Sequence, residues 1–329
     1  MKRFKIKKTV PVIDMVYTWV DGNDEKIIKE KQELLKEKNF TIESTHKARF
    51  FNNDELKYSL RSLEKFANWI NKIYIVTNNQ CPSWLNTQNP RVKIINHEEI
   101  MPQGSQPCYN SNAIEHCIKN IPNLSEHYLY GNDDCFFFDK VTPEFFFKKG
   151  KPICRFEKNL FTKSTNDCLY RKFLLNSYKL IYDKYKKSYP RFPSHNIDAY
   201  KKSIVQECYE TFKPEIDRTI FSHLRKETDI QKSIYNSYAL ATKKAIEKRV
   251  SRIDSFLPLH LKILHYFLKI YKKDFVFYAA NDKFALWGLI NYRPTLFCIN
   301  DGEITTDTDR KRVKGLLEAL FPEKSEFEL

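Results

Sequence analysis

Residues 128–138 read Tyr-Leu-Tyr-Gly-Asn-Asp-Asp-Cys-Phe-Phe-Phe: a short apolar run, two adjacent carboxylates and an aromatic block. The run has the length and aromatic content of a buried strand, and the acids follow it directly, where a strand of an α/β sheet would end. Burying Asp133 and Asp134 there is costly unless a cation or a phosphate-bearing ligand shares the site. Turn preferences alone also fit the pair to a solvated turn or a helix cap.

The sequence around this stretch alternates. Val12 to Val20, Lys72 to Thr77, Val92 to Asn96 and Tyr128 to Tyr130 are β-branched or aromatic runs with helical patterns between them. That alternation predicts an α/β sheet of mostly parallel strands, with ligands collecting at the strands' carboxyl ends. Asp21-Gly22, Thr77-Asn78 and Asn132-Asp133-Asp134 fall at such ends. A helix is expected over 54–67, capped by Asn53, with Leu56, Leu60, Leu63 and Ala67 inward. Its opposite face carries Asp54, Tyr58 and Arg61, directed to solvent or to a cleft. A second helix near 112–121 turns Asn112 and Glu115 outward. Beyond Lys151 the pattern is largely helical, over 167–186, 197–212, 229–250 and 259–272. Residues 1–155 thus read as an α/β core and 156–329 as a mainly helical part completing one integrated domain.

Composition narrows the classes. With 42% hydrophobic residues, 25 Phe and 19 Tyr, the chain can bury a large core, which excludes a disordered chain. Only 7 Gly are present and no glycine-rich loop of the P-loop type occurs, which excludes that nucleotide-hydrolysing class. The eight cysteines are scattered without a Cys-x-x-Cys pair and read as small core residues in a reducing compartment. No apolar stretch long enough for a spanning helix or a signal peptide is found, so a cytoplasmic location is expected. A net charge of +15 favours an anionic partner. Residues 256–273 alternate apolar and basic side chains, suited to an anionic membrane surface or to a core helix that snorkels its lysines.

Taken together, the segments resemble the Stealth family of hexose-1-phosphate transferases. The resemblance is carried by Ile13-Asp14-Met15-Val16-Tyr17-Thr18-Trp19-Val20-Asp21-Gly22, then by Arg49 with Asn53-Asp54-Glu55-Leu56-Lys57-Tyr58-Ser59-Leu60-Arg61-Ser62. It continues through Asn110 to Glu115, Leu124 to His127 and the Asn132-Asp133-Asp134 turn, then Pro193-Ser194-His195 and Phe221 to Arg225. The closing segments 297–301 and 320–328 also match.

The resemblance implies a Rossmann-like, GT-A-like fold and a reaction: an acceptor hydroxyl attacks the phosphorus attached to the sugar of a UDP-sugar. UMP leaves and a phosphodiester remains. It further implies Mg²⁺ (or Mn²⁺) on Asp133 and Asp134, catalytic roles for Asp14, Asp134, His195 and Arg225, and donor or cleft contacts from Trp19, Arg49, Asp54, Arg61, Asn112, Glu115, Asn132, Asn300 and Asp301. Position along the first strand, by contrast, favours Asp21 over Asp14 as the cleft residue. The implied partners are a UDP-sugar donor such as an N-acetylhexosamine, a glycan or polysaccharide acceptor, and peripherally the inner face of a bacterial cytoplasmic membrane; nucleic acid is not expected. Lys57 stands where many relatives carry Arg, and Asn196-Ile197-Asp198 lacks the Pro and second His common after the histidine. A metal-dependent glycosyltransferase releasing UDP and a non-enzymatic polyanion-binding protein are the competing readings.

Overall fold

The structure is a computed structural model, and it describes residues 11–37, 51–159, 168–187, 189–250, 274–282, 288–289 and 293–329. In chain order the elements that matter are β1 (Ile13–Thr18), α1 (Glu25–Glu37), α2 (Glu55–Phe66), β2 (Ile73–Thr77), β3 (Val92–Asn96), α3 (His97–Ile100), α4 (Ser111–Cys117), β4 (His127–Asn132) and β5 (Cys135–Phe137). There follow α5 (Pro143–Phe146), β6 (Phe147–Lys148), β7 (Lys151–Asn159), α6 (Leu169–Tyr185), β8 (Arg191–Pro193), β9 (Asp198–Lys201), α7 (Lys202–Thr211), α8 (Lys213–Ile220) and α9 (Ser233–Ala241). The chain closes with β10 (Ile246–Arg249), β11 (Phe275–Ala279), β12 (Leu296–Asn300) and α10 (Asp307–Leu320).

The main sheet has the order β3-β2-β1-β4-β9. Its first four strands are parallel, and β9 runs antiparallel on the edge beside β4. A parallel strand is covered on both faces, so both parities of its sequence are apolar. The burial follows this rule. Val16, Tyr74, Val76, Tyr128 and Tyr130 enter one core with α4, α7, α8 and α9, while Ile13, Met15, Tyr17, Ile73, Ile75 and Leu129 enter another with α2. Gly131 sits in a tight spot: a Cβ there would lie 3.1 Å from Ile197 Cγ1 and 3.2 Å from Met15 Cε, so those side chains would have to shift to admit it. A small sheet joins β11 and β12 in parallel and β12 to β5 antiparallel, setting Cys298 opposite Cys135. The α/β sheet of mostly parallel strands flanked by helices, as read from the sequence, is thus present.

The chain beyond Lys151 departs from its expected helicity. Residues 198–201 form β9, which completes the main sheet, and the helix begins only at Lys202. Within 229–250 the helix is confined to Ser233–Ala241, and Ile246–Arg249 is a strand beside β7. The expected helix 259–272 and the basic stretch 256–273 lie outside the described residues. All eight cysteines are free thiols, with Cys81 and Cys168 exposed and the others buried.

The polar face of α2 packs against α10 and the segment after it, and does not line a cleft. Asp54 accepts from Lys314 Nζ at 2.7 Å, Tyr58 donates to Glu318 Oε1 at 3.0 Å, and Arg61 clasps Glu328 through Nε (2.8 Å) and Nη2 (2.7 Å). Arg61 also donates to the Phe321 carbonyl at 2.9 Å. The two expected site residues of this stripe, Asp54 and Arg61, are therefore spent on α10 and the segment after it.

Candidate active site

A cavity of about 350 Å³ opens at the carboxyl ends of β3, β2, β1 and β4. That volume is in the range of small-molecule sites, and the place is where open α/β sheets bind ligands. Each strand delivers its next residues to the wall: His97 after β3, Val76 and Asn78 from β2, Thr18, Trp19 and Val20 from β1, and Asn132, Asp133 and Asp134 from β4. Glu55, Arg225, Asn300 and Asp301 close the acidic side.

The acids are crowded. Asp134 is buried; its Oδ2 accepts from Asn300 Nδ2 at 3.0 Å and its backbone carbonyl from Ile299 N at 3.2 Å. The β12–β5 pairing is what aims Asn300 there. Burial pushes the Glu55 carboxyl up to about 7, with Asp134 adding repulsion. Asp133 is raised well above the usual carboxylate range by burial and by the charges of Glu55 and Asp134. Asn53 is not the helix cap expected of it: Asp54 takes that position with φ 63°, and Asn53 donates its backbone N–H and its side-chain amide to Glu55, both at 2.6 Å. Carboxyls whose ionisation is resisted by one another are suited to a divalent cation, which removes that penalty. Asp133 and Asp134, with Glu55 beside them, are the residues that would hold it. Among the described residues Asp134, Cys135 and Cys298 also bring three ligand atoms within 4.8 Å of one another.

The cationic member is Arg225, which lines the cavity and donates to Ser111 Oγ. Neither nearby acid engages it: Glu227 pairs with Lys172 at 2.7 Å, and Asp229 accepts from Asn110 Nδ2 at 2.8 Å.

His195 is half-buried just behind the wall, its ring edge-to-face with Phe277 and its Nε2 3.5 Å from Asn132 Nδ2. Asn132 Oδ1 and Glu115 Oε1 share the single proton of the Tyr130 hydroxyl, each at 3.0 Å, and the Asn132 amide NH₂ faces the imidazole, so Nε2 is the acceptor nitrogen. Burial holds the imidazole below its ordinary pKa against the pull of Asp134, so it is neutral and basic near neutrality.

Under this lies a polar network that the sequence did not disclose. Tyr130 reaches Glu115 Oε1 at 3.0 Å, and buried Lys232 pairs with Asp198 at 2.7 Å while its ammonium lies 4.7 Å from the centre of the Tyr130 ring. Burial raises Glu115 to about 7 despite Lys232. Glu115 is buried and does not line the cavity, and neither does buried Asn112.

Asp14 is a correction. It is fully buried at the amino end of β1, its Oδ1 accepting from Asn71 Nδ2 (2.8 Å) and Lys72 N (3.1 Å) and its Oδ2 from Ser125 N (2.8 Å). The cavity is at the other end of the strand, about 13 Å away at the usual rise per residue. Asp14 ties the starts of β1, β2 and β4 together. Asp21, its alternative, caps Asn23 N and does not line the cavity. Trp19 does line it while packing in the core; Asp301 does so while bound to Arg310 at 2.7 Å. Arg49 lies outside the described residues. The structure adds Glu55, His97, Tyr109 and Ser111 to the wall. Glu55 could have been suspected as the acid opening the helix, whereas His97 carried no sequence signal of its own.

Fold and cavity together define an α/β protein whose parallel strands end on an acid- and arginine-lined cleft. The family models for Stealth protein conserved region 1 and conserved region 2 match residues 11–38 and 49–154, so the chain carries both of these conserved regions. Similar curated proteins include the capsular polysaccharide phosphotransferase SacB of Neisseria meningitidis serogroup A, 29% identical over 96% of this chain and 57% of its own length. The exopolysaccharide phosphotransferase CpsY of Mycobacterium tuberculosis is 31% identical over 94% of this chain and 57% of its own length. The chain thus spans little more than half the length of these relatives. Among solved structures, the galactosyltransferase LgtC in complex with donor and acceptor sugar analogues aligns with a TM-score of 0.45 at 8% identity, covering 95% of this chain and 98% of that one. The glycosyltransferase GlyE of Streptococcus pneumoniae aligns at 0.42 and 9%, covering 95% and 63%. Among the described residues no helix is long and apolar enough to cross a membrane.

Proposed function

We propose that this chain transfers a sugar-1-phosphate from a UDP-sugar to a glycan hydroxyl in the synthesis of a capsule-type polysaccharide, releasing UMP. The observation that carries the reading is the convergence on one cavity of Asp133, Asp134 and Glu55, the Arg225 guanidinium and, through Asn132, the acceptor nitrogen of His195. The names of the two phosphotransferase relatives support it.

Phosphoryl transfer asks mainly for positioning and charge neutralisation. Arg225 offers a planar fork for phosphate oxygens, held at one nitrogen by Ser111. His195 Nε2 is the base: as the acceptor oxygen bonds to the sugar-bearing phosphorus, the hydroxyl proton passes to the imidazole, the bridging P–O bond breaks and UMP departs. A bound Mg²⁺ on Asp133 and Asp134 would neutralise diphosphate charge. The acceptor is a glycan hydroxyl, and work at the inner membrane face fits a lipid-linked or growing chain.

The test is incubation with a panel of UDP-sugars, Mg²⁺ and capsular oligosaccharide acceptors, with nucleotide products resolved by chromatography. UMP accumulating with a phosphodiester product is the expected result. UDP as the released nucleotide would instead assign attack at the anomeric carbon and overturn the proposal.

A further inference from the structure

The face of the small sheet that borders the acids continues outward to an open aromatic ring. Where β11 pairs with β12 and β12 with β5, Phe277 stands opposite Cys298 and Cys298 opposite Cys135. Residues paired in this way share one face of a sheet. On that face the two thiols and an Asp134 oxygen lie within 4.8 Å of one another, and Asn300, two residues beyond Cys298, holds Asp134. The row therefore runs from the acids at β5 to Phe277 on the edge strand β11, about 10 Å across two strand spacings.

Cys298 and Cys135 are buried, but Phe277 keeps 45% of its surface exposed. Its neighbours along β11 do not: Phe275 and Tyr278 are buried, and Val276 packs against the core. A single exposed apolar side chain is ordinary at a protein surface. What sets Phe277 apart is the group it touches. Its ring centre is 5.7 Å from that of His195, with the planes at 80°, while His195 Nε2 faces Asn132 at the cavity wall. The imidazole thus joins the acid-lined cavity to an open aromatic surface. Among the described residues the other exposed ring at the site is Phe51, which is on the cavity wall with the Arg310 guanidinium stacked on it at 4.3 Å.

We infer that Phe277 is the platform on which a sugar ring of the glycan acceptor stacks, so that its hydroxyl reaches His195. The inference rests on the proposed function and adds the acceptor's place: donor in the cavity, acceptor over β11. A pyranose presents a face of C–H groups edged by hydroxyls. An aromatic face, negative at its centre and without hydrogen-bonding groups, takes that C–H face and leaves the hydroxyls free. Ligand sites combine such apolar contact with a few placed polar groups, and here the polar group is the base. A diphosphate gains nothing from this ring and belongs with Arg225 inside the cavity.

The experiment uses the whole chain, Mg²⁺, and the UDP-sugar and capsular oligosaccharide that release nucleotide in the panel above. Phe277→Ala should raise the KM for the oligosaccharide about tenfold, with kcat and the calorimetric UDP-sugar affinity within about twofold of the wild type. Phe277→Trp, which keeps an aromatic face, should hold KM within about threefold. Phe277→Leu keeps apolar bulk against the imidazole without the face; it should behave as the alanine variant does, and it decides the matter if that variant melts early. An unchanged KM in the folded leucine variant overturns the inference. So does a loss carried by kcat at saturating oligosaccharide, which would mean that the ring only braces His195. Either result leaves the proposed function standing. UDP in place of UMP overturns that function and leaves the KM comparison to judge the platform, whereas no nucleotide released with any donor and acceptor overturns both.

Discussion

Replacing Arg61 with Met retains most of the apolar stem and removes the guanidinium that joins α2 to the last residues described. Arg61 and Glu328 are 12% and 2% exposed at the side chain and meet through two parallel hydrogen bonds. Breaking a buried pair of this kind costs about 3–5 kcal/mol, whereas an exposed pair is worth about 0–1. Here the carboxylate is buried and the guanidinium nearly so. Glu328 nevertheless keeps the Ser325 N–H and hydroxyl as donors, with Lys57 Nζ 3.9 Å away. The expected loss is therefore about 2–3 kcal/mol, which for a chain of 329 residues lowers Tm by roughly 3–4 °C. A double-mutant cycle with Glu328→Gln, read by urea unfolding, should return a coupling energy of about 1.5 kcal/mol or more. Acidity supplies a second reading. Burial pushes Glu328 up, but Arg61 and Ser325 outweigh it and hold the carboxyl below its ordinary value. A carboxyl depressed in the folded state stabilises fully above its unfolded pKa of about 4.3 and loses that contribution as pH falls through the folded value. The acid side of the stability curve should flatten in Arg61→Met. A change below about 0.5 kcal/mol, or a folded variant that no longer binds UDP-sugar, would refute the structural role and return Arg61 to the donor site.

His195→Gln should reduce turnover by at least a thousandfold and leave UDP-sugar affinity within about twofold, measured by single-turnover kinetics and calorimetry; retained turnover removes the imidazole from the chemistry. Since burial holds His195 below its ordinary value, kcat/KM in the wild type should stay flat down to below about pH 6.5 and fall only as the pH drops through that lowered value. Asp14→Ala should cost about 3–5 kcal/mol, because it orphans the Lys72 and Ser125 N–H groups and the Asn71 amide, while activity per folded molecule is unchanged; lost activity in folded material would contradict the placement of Asp14 at the far end of β1.

Where the chain's own periodicity decides structure, it could be read. β1 to β4 are found within a residue or two of their expected positions, because both parities of a covered parallel strand are apolar. The Asn132-Asp133-Asp134 turn was legible for the same reason, as acids directly after such a strand. Long-range pairing is where reading along the sequence fails. Asp198 to Lys201 became a strand only because the β4 edge was free to accept it. Asp54 and Arg61 found partners some 260 residues away, which no helical wheel reports. Glu115 and Lys232 come close enough to influence one another although they are 117 residues apart in the chain, which no local pattern reports.

The pairing of β5 with β12 makes the candidate centre a joint product of distant stretches of chain. Asp134 comes from the region matched by the second family model, yet the amide that orients it is 166 residues downstream. A fragment cut to the matched regions alone would keep its acids and lose their alignment. Two separately expressed pieces, divided between β10 and β11, should regain function only on reassociation.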